Sequence, residues 1–101
     1  MNTKGDGALR NEDLNSRSYD MTYSGAVSFL RRKYTLDLED VDVAVTGIPY
    51  DCATSNRPGA RFRPRGIRAA STELASLDAF PFNFDPFKYL AVIDYGDVWL
   101  D

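Results

Sequence analysis

Residues 36–51 read LDLEDVDVAVTGIPYD, and residues 89–101 read YLAVIDYGDVWLD. In the first stretch the acids Asp37, Glu39, Asp40 and Asp42 give way to Val43, Ala44, Val45, Thr46, Gly47 and Ile48. A short, nearly continuous β-branched run predicts a strand buried on both faces, as in parallel sheets. The run stops at Pro49, since proline cannot donate to a central ladder. The acids before it read as the solvated edge entering the sheet rather than as a metal cluster. Residues 89–94 predict a second strand of the same buried kind.

Between the two strands, Ile67, Ala70, Leu74 and Leu77 recur at spacings of three, four and three, predicting a helix over 64–77. Pro64 suits its first position, and Gly66 weakens that turn by roughly 1 kcal/mol relative to alanine. Strand, crossover helix and strand form a right-handed βαβ unit, so the fold class is α/β. Upstream, SGAVSFLRRKY at 24–34 predicts a short helix over 24–33, capped by Ser24 and carrying Val27 and Leu30 on one face. Arg31, Arg32 and Lys33 then fall at a solvated helix end, where they suit the dipole. Residues 1–20 lack periodicity and read as a mobile N-terminal arm, leaving 21–101 as the folded part. One crossover helix cannot cover two parallel strands, so the order reads as the opening section of a larger α/β domain.

Composition removes several chemistries. The 101 residues include 12 basic and 15 acidic side chains, one cysteine and no histidine. A histidine-based nucleophile system, a disulfide framework and a multi-cysteine zinc site are all excluded. No apolar run approaches the ~20 residues of a membrane span, and the polar N-terminus is not a secretory signal. A cytoplasmic location and no membrane partner are the expectation. Cys52 lacks a histidine to activate it and reads as a packing residue.

The segment DCATSNRPGARFRPRGIR at 51–68 places five arginines, 57, 61, 63, 65 and 68, within twelve residues and without an acid. It follows a parallel strand, at the sheet edge where open α/β folds bind ligands. Amides at the start of the following helix, with Arg57 and Arg61, could hold an anion; alternatively the arginines pair with carboxylates elsewhere in the domain or at a subunit contact. The spacing is neither G-x-G-x-x-G nor a P-loop. Asp94 and Asp97 form a carboxylate pair, but residues three apart on a strand point to opposite faces unless Tyr95-Gly96 turns one; structural capping is the preferred role. DAFPFNFDPFKYL at 78–90 reads as an ordered crossover loop rather than an aromatic base-stacking platform.

The runs VTGIPYDCATSNRPGARFRPRGIRAASTELA (45–75), FPFNFDPF (80–87) and VIDYGD (92–97) together resemble the N-terminal part of agmatinases, in the ureohydrolase (arginase/agmatinase) family. The likeness runs from Tyr23 to Val98. It implies an arginase-like three-layer α/β/α fold around a parallel sheet, of which this chain holds the βαβ portion. It implies trimers or hexamers, a two-ion manganese site, and hydrolysis of a guanidino compound such as agmatine to urea and an amine. The family's histidine–aspartate metal patterns belong after the matched region, so no Mn2+ is expected to bind this chain and the chain alone is expected to be inactive. Thr54, Ser55, Asn56, Arg57 and Arg61 fall, by the resemblance, at the rim of the substrate cleft or at a subunit contact. Where the family reads Arg-Phe-Gly-Pro, this chain reads Arg61-Phe62-Arg63-Pro64. Two alternatives stand beside this reading. One is a non-catalytic fragment co-assembling with an intact paralogue. The other is an anion- or nucleic-acid-binding module on residues 57–68, against which the net charge of −3 argues.

Overall fold

The computed structural model describes residues 6–10, 12–15, 24–50, 59–74 and 84–99. Its elements are a single helical turn α1 (Gly7–Arg10), strand β1 (Val43–Gly47), helix α2 (Arg63–Ser71) and strand β2 (Val92–Asp97). Tight 3₁₀ turns lie at Phe29–Arg31, Ala60–Phe62, Thr72–Leu74 and Pro86–Lys88. The strands pair in parallel, Val43 with Val92 and Ala44 with Ile93, and α2 lies between them in the chain. The βαβ order expected from the hydrophobic runs is therefore present. The second strand begins three residues later than expected. Residues 86–89 turn first, held by the Asp85 carboxylate accepting the Phe87 N–H at 3.0 Å.

Burial divides sharply between the two strands. Ala91, Val92, Ile93 and Asp94 are buried, whereas Val43, Ala44 and Thr46 of β1 are exposed. The expectation that β1 is buried on both faces is not met within this chain. Its β-branched composition is that of an interior strand, yet the described residues supply no layer to cover it. β2 differs because residues 33–35 flank its other edge: the Asp94 N–H donates to the Lys33 carbonyl at 2.8 Å, and the Thr35 N–H to the Asp94 carbonyl at 3.0 Å.

The helix expected over 24–33 does not form; only the turn Phe29–Arg31 does. Leu30 and Arg31 take left-handed angles, φ +50° and +57°, at a cost of roughly 1–2 kcal/mol per residue. Tertiary partners take the backbone donors a helix would have used. The Phe29 N–H reaches the Asp94 carboxylate and the Leu30 N–H reaches Ser71 Oγ, both at 2.8 Å. Of the two apolar residues that suggested the helix, Val27 is half exposed and Leu30 only partly buried.

The basic triplet is also not a solvated end. Arg31 and Arg32 are each 2% exposed. Arg31 donates to the Ser24 carbonyl at 2.6 Å, and the Arg32 guanidinium lies 4.3 Å over the Phe87 ring. Burial pulls the Arg32 guanidinium below its ordinary range, with the charges of Asp85 and Asp13 opposing that shift. Part of the stretch read as an N-terminal arm packs on this same region. Ala8 is fully buried and its carbonyl accepts the Tyr34 N–H at 2.7 Å, while the Asn15 amide donates to the Phe87 carbonyl at 2.8 Å.

Candidate functional site

Chemistry-bearing side chains of the described residues converge where β1 and β2 end, the expected edge for a parallel sheet. Arg68, on α2, is the hub. Its Nε donates to Asp94 Oδ2 at 2.7 Å and its Nη2 to Asp94 Oδ1 at 3.1 Å, a two-pronged grip on one carboxylate. Its Nη1 lies 2.8 Å from Asp97 Oδ1. The Asp94 hydrogen bond is the largest cause raising the Arg68 guanidinium above its ordinary value; burial opposes it and Asp97 adds to it. Asp94 is completely buried and also accepts the Phe29 N–H and, at 2.9 Å, the Gly96 N–H. One carboxylate thus ties α2, β2 and the Phe29 turn together.

The turn at Tyr95-Gly96 that would be needed to re-aim one of Asp94 and Asp97 is present. The pairing slips between Val45–Asp94 and Gly47–Asp97, and Gly96 sits at φ +82°. A left-handed glycine in an irregular strand adds one residue and re-aims the next side chain. Both carboxylates consequently meet one guanidinium. The structural role preferred for them fits, as does pairing of the arginine cluster with carboxylates, here realised by Arg68 inside the chain. Gly47 makes this approach possible. A Cβ there would lie 2.7 Å from Pro64 Cβ and would also run into the Asp97 carboxylate.

The apolar stripe expected to bury α2 does not do so. Ile67 is 57% exposed and Leu74 55% exposed, while the buried side chains are Arg68, Ser71 and Thr72. Leu77 lies outside the described residues, as do Cys52, Thr54, Ser55, Asn56 and Arg57. Arg61 is exposed, with its guanidinium 4.8 Å over the Phe62 ring. Arg63 takes ordinary helical angles, φ −67° and ψ −41°, so this position does not require the glycine found in the family pattern. Sequence reasoning missed Arg68 as the organiser. One signal was available: Arg68, Ser71 and Thr72 share a helical face at spacings of three and four, and β2 carries two acids.

Among the described residues, no three histidine, cysteine, aspartate or glutamate side chains come together to hold a metal ion. Asp94 and Asp97 are occupied by Arg68. Residues 41–101 match the model of the arginase family. The chain belongs to that family. It is 56% identical over 97 residues to an agmatinase of Chromobacterium violaceum, covering 96% of this chain and 30% of the relative. It is 47% identical over 78 residues to an agmatinase of Cronobacter sakazakii, of which it covers 26%. An X-ray crystal structure of a hypothetical agmatinase from Burkholderia thailandensis superposes with a TM-score of 0.91 at 55% identity, covering 96% of this chain and 31% of that one. The arginase-like α/β fold is thereby established, and the chain spans about three tenths of the length of these arginase-family relatives.

Proposed function

We propose that this chain forms part of an agmatinase-type amidinohydrolase, which adds water to a guanidino compound such as agmatine and releases urea and an amine. The observation carrying this reading is the 56% identity to an agmatinase across 96% of the chain. The manganese pair implied for such an enzyme does not fit the described residues, which offer no clustered ligands, and the chain has no histidine. No step of the reaction is therefore assigned to them. Their part is structural: Arg68, Asp94 and Asp97 fix the carboxyl ends of β1 and β2, from which the arginine-rich loop departs. In this reading Thr54, Ser55, Asn56, Arg57 and Arg61 lie at the rim of the substrate cleft or at a subunit contact, within a homo-oligomer.

The test is a chimera in which residues 1–101 replace the matched third of the Chromobacterium violaceum agmatinase. Urea release from agmatine with manganese, within about tenfold of the parent, supports the reading (about 1.4 kcal/mol in barrier). Loss of release from a folded, metal-loaded chimera overturns it. The 101-residue chain by itself should release no urea above a protein-free blank.

A further inference from the structure

The turn at Phe29–Arg31 stands between two sets of partners. On the inner side, the Phe29 N–H donates to Asp94 Oδ2 at 2.8 Å, the same oxygen that accepts the Arg68 Nε–H at 2.7 Å. The next donor, the Leu30 N–H, reaches Ser71 Oγ, and that hydroxyl donates to the Arg68 carbonyl at 2.8 Å. Ser28 Oγ closes the turn itself on the Arg32 carbonyl, also at 2.8 Å. Holding this form takes left-handed angles at Leu30 and Arg31, which residues other than glycine disfavour. Such a conformation persists only where its surroundings over-determine it.

The outer partners are residues 6–8. Asp6 Oδ2 accepts the Ala26 N–H at 2.6 Å, and Asp6 Oδ1 accepts the Ala8 N–H at 3.2 Å. The Asp6 carbonyl takes the Leu9 and Arg10 amides, which winds α1. At the far end of the segment the carbonyl of the fully buried Ala8 accepts the Tyr34 N–H at 2.7 Å. The Tyr34 N–H faces outward because the Lys33 carbonyl and the Thr35 N–H turn the other way, toward Asp94, as alternate groups of an extended chain do. Two residues only two positions apart, Asp6 and Ala8, thus hold both ends of the segment from Ala26 to Tyr34.

We infer that residues 6–8 are a clip that keeps the Phe29–Arg31 turn in its strained form and thereby positions Asp94 on Arg68. Opening the clip loosens the carboxyl end of the sheet from a distance. The tendency to open lies in the segment itself: its apolar spacing favours a helix over 24–33, and the clipped turn denies it one. Asp6 is a positioning residue, acting on Asp94 through the backbone from Ala26 to Phe29. The clip stands independently of which substrate, if any, the assembled enzyme takes.

The experiment uses the full 101-residue chain and follows hydrogen exchange by NMR at the backbone amides and at the Arg68 Nε–H. Asp6→Ala should speed exchange at Ala26, Phe29, Leu30 and the Arg68 Nε–H by about tenfold or more. The Val43 amide, which donates to the Ala91 carbonyl in the sheet, should keep its protection. Ala8→Glu, which opens the Tyr34 end, should give the same pattern. Leu9→Ser, at a 60% exposed site in the same helical turn, should change none of these rates. Glycine adopts the Leu30 angles without strain, so adding Leu30→Gly to Asp6→Ala should restore most of the protection at Phe29 and at the Arg68 Nε–H. Unchanged exchange at Phe29 and the Arg68 Nε–H in both Asp6→Ala and Ala8→Glu overturns the inference. So does a loss of protection that is equal at Val43 and persists when Leu30→Gly is added, since that is general unfolding rather than release of a strained turn.

Discussion

Replacing Arg68 with methionine keeps the aliphatic length of the side chain and deletes the guanidinium. Asp94 would then remain buried with two of its four side-chain donors, the Phe29 and Gly96 amides, having lost both prongs from Arg68. Breaking a buried ion pair by removing one partner costs about 3–5 kcal/mol, because the other charge stays behind uncompensated. The two surviving backbone donors place Arg68→Met at the lower end, about 3 kcal/mol. The Asp97 contact contributes far less. Its side chain is 38% exposed, and such pairs are worth roughly 0–1 kcal/mol. Urea denaturation followed by circular dichroism would measure Arg68→Met, Asp97→Asn, Asp94→Asn and the Arg68→Met/Asp94→Asn double variant. The double variant should recover part of the loss, giving a coupling energy above about 1 kcal/mol. If Arg68→Met costs no more than Asp97→Asn, or the coupling is below about 0.5 kcal/mol, the hub assignment is wrong.

Three further outcomes follow from the same contacts. The guanidinium of Arg68 is raised above its ordinary value in the folded chain, so its stabilisation is complete below the unfolded-state value and fades only as pH climbs past the folded one. The wild-type minus Arg68→Met stability difference should therefore stay flat between about pH 6 and pH 10, as measured by denaturation at several pH values. Gly47→Ala should destabilise by about 1–3 kcal/mol, because the new methyl overlaps Pro64 and the Asp97 carboxylate; a neutral result in the same assay would contradict the close approach. Arg32→Lys should cost about 1 kcal/mol or more, since an ammonium cannot lie flat over Phe87 as the guanidinium does. A thermal midpoint equal to wild type would remove Arg32 from the core.

The regions where sequence reading succeeded and failed have physical causes. The runs at 43–47 and 91–93 were legible because short, apolar stretches rich in β-branched residues admit few other uses. Pro64 marked the start of α2 for an equally local reason, its missing N–H and fixed φ. Over 24–33 the local signal pointed to a helix, and long-range bonds from Phe29 to Asp94 and from Leu30 to Ser71 overrode it. No local rule anticipates a donor whose acceptor lies 65 residues away. The solvated reading of Arg31 and Arg32 failed similarly, because Arg32 lies over Phe87 with Asp13 acting on it, and Arg31 donates to the Ser24 carbonyl.

What the amino-acid order determined by itself is the parallel strand–helix–strand unit, the absence of histidine chemistry, and the arginase-family motif. Each rests on properties read within a few residues or along one linear pattern. What only the tertiary structure decided is where the charges go. The left-handed Gly96 and the slipped register turn Asp97 toward Asp94, and α2 brings Arg68 between them. Electrostatics acts through space, so a carboxylate pair that looked split across a strand became one clamp on a single guanidinium.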